Sequence, residues 1–332
     1  MSKGFPNLGN TCYMNAALQC LCHIPCLRND YPSLILDVQK RSRNNNYTLM
    51  DKWIQLQESV WESDDAVVDT KPILMEFIQR CKKEDILFHS FHQNDTTDFL
   101  NTFMDFLHNS IKRKVNIKIT GTPKNQYDQL KVDSLNKWKD FFESNYSYII
   151  KEFNSKLISL LSCPECDHLV INHEPIMTIA LTLKNNYKTI YDCLDEFTRE
   201  EKLDIDNQWK CEKCNNHVSP NKKLTFWELS DIIIISIKQF RLNQKINQHI
   251  DFPEVLTLNK YCMNLRNINY KYDLIGLCIH QGSLNGGHYY AICKNIEDNQ
   301  WNIHNDTNVT PTTIEDIKNE NPYCFFYVKR KV

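Results

Sequence analysis

Asn7-Leu8-Gly9-Asn10-Thr11-Cys12-Tyr13-Met14-Asn15 sets a thiol directly behind a short polar turn and at the head of an apolar run. Residues Thr11 to Cys22 (TCYMNAALQCLC) are mostly good helix formers, so the run reads as a helix capped by Asn10 or Thr11 and ended by Pro25. Cys12 then lies in the first turn, where unpaired backbone N–H groups and the macrodipole favour a thiolate. Asn7 and Gly9 suit a turn that aims polar hydrogens at a developing oxyanion. Taken alone, Cys12 would read as one more buried thiol among the 14 cysteines of the chain.

The downstream sequence changes that reading. Gly286-Gly287-His288-Tyr289-Tyr290 supplies an imidazole, and Asn305-Asp306 follows seventeen residues after it. A thiol, an imidazole and an amide or carboxylate in that order are the parts of a cysteine hydrolase. The thiol attacks, the imidazole takes its proton, and the third group fixes the tautomer and orientation of the ring.

These stretches resemble the signature boxes of the ubiquitin-specific proteases, the papain-like deubiquitinases. The N-terminal box is Gly4 to Gln19, and the C-terminal one runs from His280-Gln281-Gly282 to Gly287-His288-Tyr289. Trp301 to Val309 follows, and His92-Gln93-Asn94-Asp95-Thr96-Thr97-Asp98-Phe99-Leu100 is similar to the middle box. The resemblance implies Cys12 as nucleophile, His288 as general base and Asn305 as third member. It makes the Asn7 amide an oxyanion donor and Asp306 a supporting acid. It places Asp95 and Asp98 beside the ubiquitin tail, and Gly286, Gly287 and Tyr289 along a channel that admits only glycine. Asn94, Asp98, Gln239 and the proline-free Trp227-Glu228-Leu229-Ser230 depart from the usual pattern. None of these touches the triad, so they bear on substrate selectivity and leave another ubiquitin-like modifier open.

Cys163-Pro164-Glu165-Cys166 and Cys211-Glu212-Lys213-Cys214 form a second constellation. Each CxxC bends two thiolates onto one ion, and two of them complete a tetrahedral S4 shell suited to one structural Zn2+. A redox role would need a thioredoxin-like context that these Lys- and Glu-flanked copies lack. The long spacer suggests two hairpin tips brought together, as in the zinc-bearing fingers of the family. Such a closed site takes no part in hydrolysis, and no catalytic cofactor is expected.

With 332 residues and a net charge of −2, the chain can build a substantial core and lacks the basic footprint of a nucleic-acid binder. The acidic runs Glu58 to Asp69 and Asp192 to Asp206 could steer a cationic partner, although a solvated face is the ordinary use of such runs. Neither a signal peptide nor a membrane-spanning run is expected, and Ile232 to Ile237 (IIIISI) is short enough for a buried strand. So many cysteines suit a reducing compartment, cytoplasmic or nuclear.

Along the chain, helical spacing appears over Trp53 to Trp61, Pro72 to Lys82 and Asp95 to Ile111. Lys112 to Tyr146 is polar and weakly patterned, with a short helix expected near Leu135 to Phe142. From Phe153 onward strands dominate, including Ile176 to Leu183, Asp231 to Phe240, Tyr272 to His280, His288 to Lys294, Gln300 to His304 and Tyr323 to Lys329. Thr189 to Phe197 interrupts them as a helical turn. The expectation is one α+β, papain-like catalytic domain over residues 1–332. It has a helical thumb (about 1–111), an insertion (about 112–146), zinc-bearing β fingers (about 153–228) and a β palm (about 229–332). It would act as a monomer on ubiquitin and ubiquitinated proteins, without nucleic acid or membrane.

Overall fold

The computed structural model describes residues 2–29, 48–88, 92–241, 244–263, 268–283 and 286–331. Its first third is helical. Cys12–Cys22 is a helix with every residue buried, so it has no polar face from which a period could be read. Its start differs from expectation, because Thr11 occupies the cap position without a side-chain cap. The Thr11 hydroxyl instead accepts the Leu8 N–H at 2.9 Å, and Asn10 turns away with a φ of 56°. The helix stops at Cys22, and Pro25 opens a further turn, Pro25–Asn29, as its fixed φ allows. Thr48–Glu62, Lys71–Lys83 and Thr96–Ile111 form the rest of this layer. They meet through Trp53, Phe77, Phe99 and Phe103. Among the described residues no helix is long and apolar enough to cross a membrane.

The palm is an eight-stranded sheet in the order Asn308–Thr312, Trp301–Asn305, Gly286–Lys294, Lys271–Ser283, Pro322–Lys329, Ile232–Lys238, Thr178–Thr182. Val255–Thr257 pairs beside Lys271–Ser283. Alternate residues serve two cores. Ile232, Ile234, Cys278, Ala291, Cys293 and Phe326 join the helical layer. Ile233, Ile235, Leu277, Ile292, Phe325 and Tyr327 join the opposite core, under the helix Ile190–Phe197. A strand buried on both faces needs an unbroken apolar run, which Ile232 to Ile237 supplies.

The fingers are a four-stranded sheet of Leu169–Ile176, Ser155–Ser162, Asn221–Glu228 and Glu201–Lys202. The expected strand from Ile176 to Leu183 is divided at Met177, where the chain leaves the fingers and enters the palm as Thr178–Thr182. That strand runs parallel to Ile232–Lys238. A parallel pair needs a long crossover, and the intervening chain uses it to build finger strands.

Residues 112–146 hold a larger element than their sequence suggests. The helix there spans Gln126–Asn145, not the short piece near Leu135. Asn125 caps it by accepting the Asp128 N–H at 2.8 Å. Trp138 anchors it on Ile158 and Trp227 of the fingers, with Phe141 and Phe142 alongside. Ser134, fully buried, also meets His173 of the fingers at 3.1 Å, a polar contact that an apolar period does not reveal.

Candidate active site

Cys12 opens its helix and is only 4% exposed. Burial raises its thiol above the usual range and the Asp306 charge adds to this, while hydrogen bonds from the Tyr289, Tyr13 and Cys12 backbones act in the opposite direction. The expected activation by a helix N-terminus is thus present but outweighed in this state. The Tyr289 bond also has geometric value, because it seats the sulfur against the strand Gly286–Lys294, one residue from His288.

His288 Nε2 lies 2.6 Å from Asn305 Oδ1 and 3.9 Å from Asp306 Oδ2. An amide oxygen only accepts, so Nε2 carries the proton and Nδ1 keeps its lone pair. Asn305 ends its strand and pairs with Asn308 across a two-residue turn. Asp306 begins that turn with a φ of 50°.

Asp306 is the hub of the site. Its Oδ2 accepts from Asn7 Nδ2 at 3.0 Å and its Oδ1 from Asn15 Nδ2 at 2.9 Å. Its backbone carbonyl accepts the Phe5 N–H at 2.9 Å. Asn7 is fixed at its other end too, its Oδ1 accepting the N–H groups of Gly9 at 3.2 Å and Thr11 at 3.1 Å. One of the two Asn7 amide protons is therefore committed to Asp306, leaving one for an oxyanion.

Gln93 and Asn15 are functional positions to which spacing gives no partner, although both lie inside motif boxes. Gln93 Nε2 donates to the Gly287 carbonyl at 3.1 Å, and its Oε1 accepts the Gly287 N–H at 3.3 Å. That double clamp fixes the backbone immediately before His288. A Cβ on Gly287 would lie 2.3 Å from His280 Nε2 and 2.5 Å from the Gln281 carbonyl, so the strand itself demands glycine there. Gly286 differs, since a Cβ would meet only Gln93 Oε1, at 3.8 Å. The other expected channel residue, Tyr289, is buried with its ring 4.5 Å from His280 and 5.9 Å from Tyr323.

Of the two acids expected near the substrate, Asp95 is already engaged. It caps Thr96–Ile111 through the Thr97 N–H at 2.6 Å and the Asp98 N–H at 3.3 Å, and it accepts the Tyr323 hydroxyl. Asp98 lies at the head of the same helix with its side chain reaching solvent, and partial desolvation at its base, then neighbouring Asp95, raise its carboxyl. In the second acidic run, Asp195 pairs with Lys260 and Glu196 with Lys184 and Arg199.

The four finger cysteines converge, with all their sulfurs within 4.8 Å of one another. Cys163 and Cys214 are 3.8 Å apart, and Cys166 and Cys211 are 3.6 Å apart. Four sulfurs at about 2.3 Å from Zn2+ in a tetrahedron stand roughly 3.8 Å from each other. The two knuckles share one backbone design. Cys163 N–H donates to the His168 carbonyl and Cys211 N–H to that of Asn216, both at 2.9 Å. Asp167 and Asn215 turn each tip with φ of 54° and 59°. Donor chemistry and spacing both fit one zinc ion.

Residues 3–327 match the family model for ubiquitin carboxyl-terminal hydrolase. Human ubiquitin carboxyl-terminal hydrolase 2 is 29% identical over 337 residues, which cover 98% of this chain and 54% of the human protein. A probable ubiquitin carboxyl-terminal hydrolase of Acanthamoeba polyphaga mimivirus is 25% identical over 420 residues, covering 98% of this chain and 90% of that protein. The chain spans about half the length of the first curated relatives it matches. Among solved structures, a chain of the SAGA Ubp8/Sgf11/Sus1/Sgf73 DUB module bound to ubiquitin aldehyde superimposes with a TM-score of 0.76. It is 24% identical, and the match covers 99% of this chain and 70% of that one. The shared fold is α+β and papain-like, with thumb, palm and fingers.

Proposed function

This chain belongs to the ubiquitin carboxyl-terminal hydrolase family, and from that premise we propose that it is a thiol-dependent deubiquitinase. It cuts after the C-terminal glycine of ubiquitin on modified proteins or chains. The observation that carries this reading is the His288–Asn305 pair at 2.6 Å, set one residue from the backbone group that holds the Cys12 sulfur.

In the proposed reaction, His288 Nδ1 takes the Cys12 proton and the thiolate attacks the glycine carbonyl. The free Asn7 amide proton and the Cys12 backbone N–H receive the oxyanion. His288 then protonates the leaving lysine amine, which departs and leaves a thioester on Cys12. With His288 as base, water hydrolyses the thioester and returns the free thiol. Asn305 keeps the ring aligned without the full charge of a carboxylate, and Asp306 adds part of that charge from 3.9 Å. The approach past Gly286 and Gly287, with Tyr289 buried beside them, is the proposed seat of a residue without a side chain, and exposed Asp98 meets the basic tail ahead of it. All the groups come from one chain, so the reaction needs no second copy. One Zn2+ on Cys163, Cys166, Cys211 and Cys214 would tie the finger tips together as a structural ion. A nucleophile and zinc ligands that must stay reduced suit a reducing compartment, so the proposed location is the cytosol or nucleus.

The test is ubiquitin bearing a C-terminal thiol-reactive electrophile. An adduct is expected on wild type and none on Cys12→Ala, which should still bind ubiquitin. An adduct that survives Cys12→Ala overturns the nucleophile. Labelling only by probes of another modifier transfers the chemistry to that modifier. Asn305→Ala should slow turnover less than His288→Ala, because the ring keeps its lone pair when its orienting group is lost; equal losses contradict the graded roles.

A further inference from the structure

Behind the catalytic cleft lies a second convergence of donors that the proposed reaction does not use. His23 follows the Cys12 helix, Cys293 is on the strand that carries His288, and His304 immediately precedes Asn305. All three are buried, at 2%, 0% and 2% exposure. One ring nitrogen of each histidine and the Cys293 sulfur lie within 4.8 Å of one another.

The rings are oriented as metal-ligating histidines are. His23 Nδ1 donates to the Gln19 carbonyl at 2.8 Å, and His304 Nδ1 donates to the Lys3 carbonyl at 3.2 Å. A carbonyl partner at Nδ1 fixes the tautomer and leaves the Nε2 lone pair to a ligand. His304 Nε2 has no protein partner at all. A buried polar atom left without a partner is costly, and purely hydrogen-bonded packing of these side chains leaves that cost standing. The Cys20 thiol is 3.8 Å from Cys293 Sγ, the same separation as the Cys163–Cys214 pair of the fingers.

We propose that His23 Nε2, His304 Nε2 and Cys293 Sγ form a second and buried zinc site, with Cys20 Sγ turning in as the fourth ligand. Cys20 Sγ stands outside the three-donor convergence, between Cys293 at 3.8 Å and Cys278 at 3.7 Å. Charge supports the fourth ligand. Two neutral imidazoles and two thiolates balance Zn2+, so no net charge is buried. On binding, the two thiols release their protons, as metal thiolates must. With Zn–N near 2.0 Å and Zn–S near 2.3 Å, the three converging donors close onto an ion through side-chain movements of about 1 Å. Since every donor is buried, the ion enters as the chain folds. Its place is structural, joining from behind the three elements that carry Cys12, His288 and Asn305. This inference is independent of whether the protein cleaves ubiquitin.

The test is metal stoichiometry on the full chain, purified without added metal, with 113Cd NMR after refolding in cadmium. Two zinc ions per chain and two cadmium signals are expected, one from an all-sulfur site and one from a mixed nitrogen and sulfur site. His304→Phe, which keeps a ring in the same space, should reduce both counts from two to one and retain the all-sulfur signal. One zinc and a single all-sulfur signal in wild type overturn the proposal, whatever the variant does. A second zinc that disappears in Cys12→Ala and persists in His304→Phe belongs to the catalytic cleft, and also overturns it.

Discussion

Asp306 acts on Cys12 in two opposed ways. Its charge helps hold the thiol protonated, yet its oxygens hold Asn7, the proposed oxyanion donor, and Asn15. Asp306→Asn removes a negative charge beside a developing thiolate, so the alkylation midpoint of Cys12 should move to lower pH. Turnover should nevertheless fall roughly 10-fold to 100-fold, the scale of loss when a catalytic group is misplaced by about 1 Å. Iodoacetamide labelling against pH, alongside turnover of a ubiquitin substrate, separates the two effects. A midpoint that stays in place or rises contradicts the electrostatic role. Gly287 illustrates a requirement of another kind. Its close approach to His280 and Gln281 is a demand of the strand, so Gly287→Ala should shift the following His288 and cost at least about 10-fold in turnover.

At the level of elements, the Gln126–Asn145 helix is the clearest independent unit. Its anchor cluster of Trp138, Ile158 and Trp227 is separate from the core behind Cys12. Trp138→Ala should therefore cost about 3–5 kcal/mol in urea unfolding and leave Cys12 labelling by a ubiquitin probe nearly unchanged. Parallel loss of labelling would show that the fingers and catalytic centre are coupled. The same helix shows where the sequence was hard to read. Amphipathic helices such as Thr96–Ile111 were legible because one face carries all the burial. The apolar anchors of Gln126–Asn145 that the sequence could show, Trp138, Phe141 and Phe142, all fall in its second half, where the short helix was expected. The Ile176 to Leu183 alternation misled for a different reason, because alternation continues through a residue at which the chain changes sheets. In the candidate site, Cys12, His288 and Asn305 were legible as chemical types at known spacing. Gln93 and Asn15 were not, because their partners lie 194 and 291 residues away and the chemistry of an amide does not announce its partner.

For the whole molecule, buried histidines set the response to acid. His108 is buried against Ser147, its Nδ1 2.7 Å from the hydroxyl. Burial and then Lys112 push it from 6.5 down to about 4. Burial and then Lys245 push His280 likewise to about 4. The unfolded chain therefore takes up these protons first as pH falls. Their contribution is fully present above about pH 6.5 and is lost progressively towards pH 4. The melting temperature should fall across that window, and less steeply in His108→Gln, which retains a partner for Ser147; identical slopes would discount His108. The bond from Asn7 to Asp306 spans 299 positions of sequence, and that span has a consequence in time. At roughly 5–20 residues per second of synthesis, Cys12 emerges about 15–60 s before the residues that complete its surroundings. Until then a nascent chain carries Cys12 without His288, Asn305 or Asp306. The proposed active site thus assembles only after residue 306 has been made, and a shorter nascent chain carries the thiol without the groups proposed to activate it.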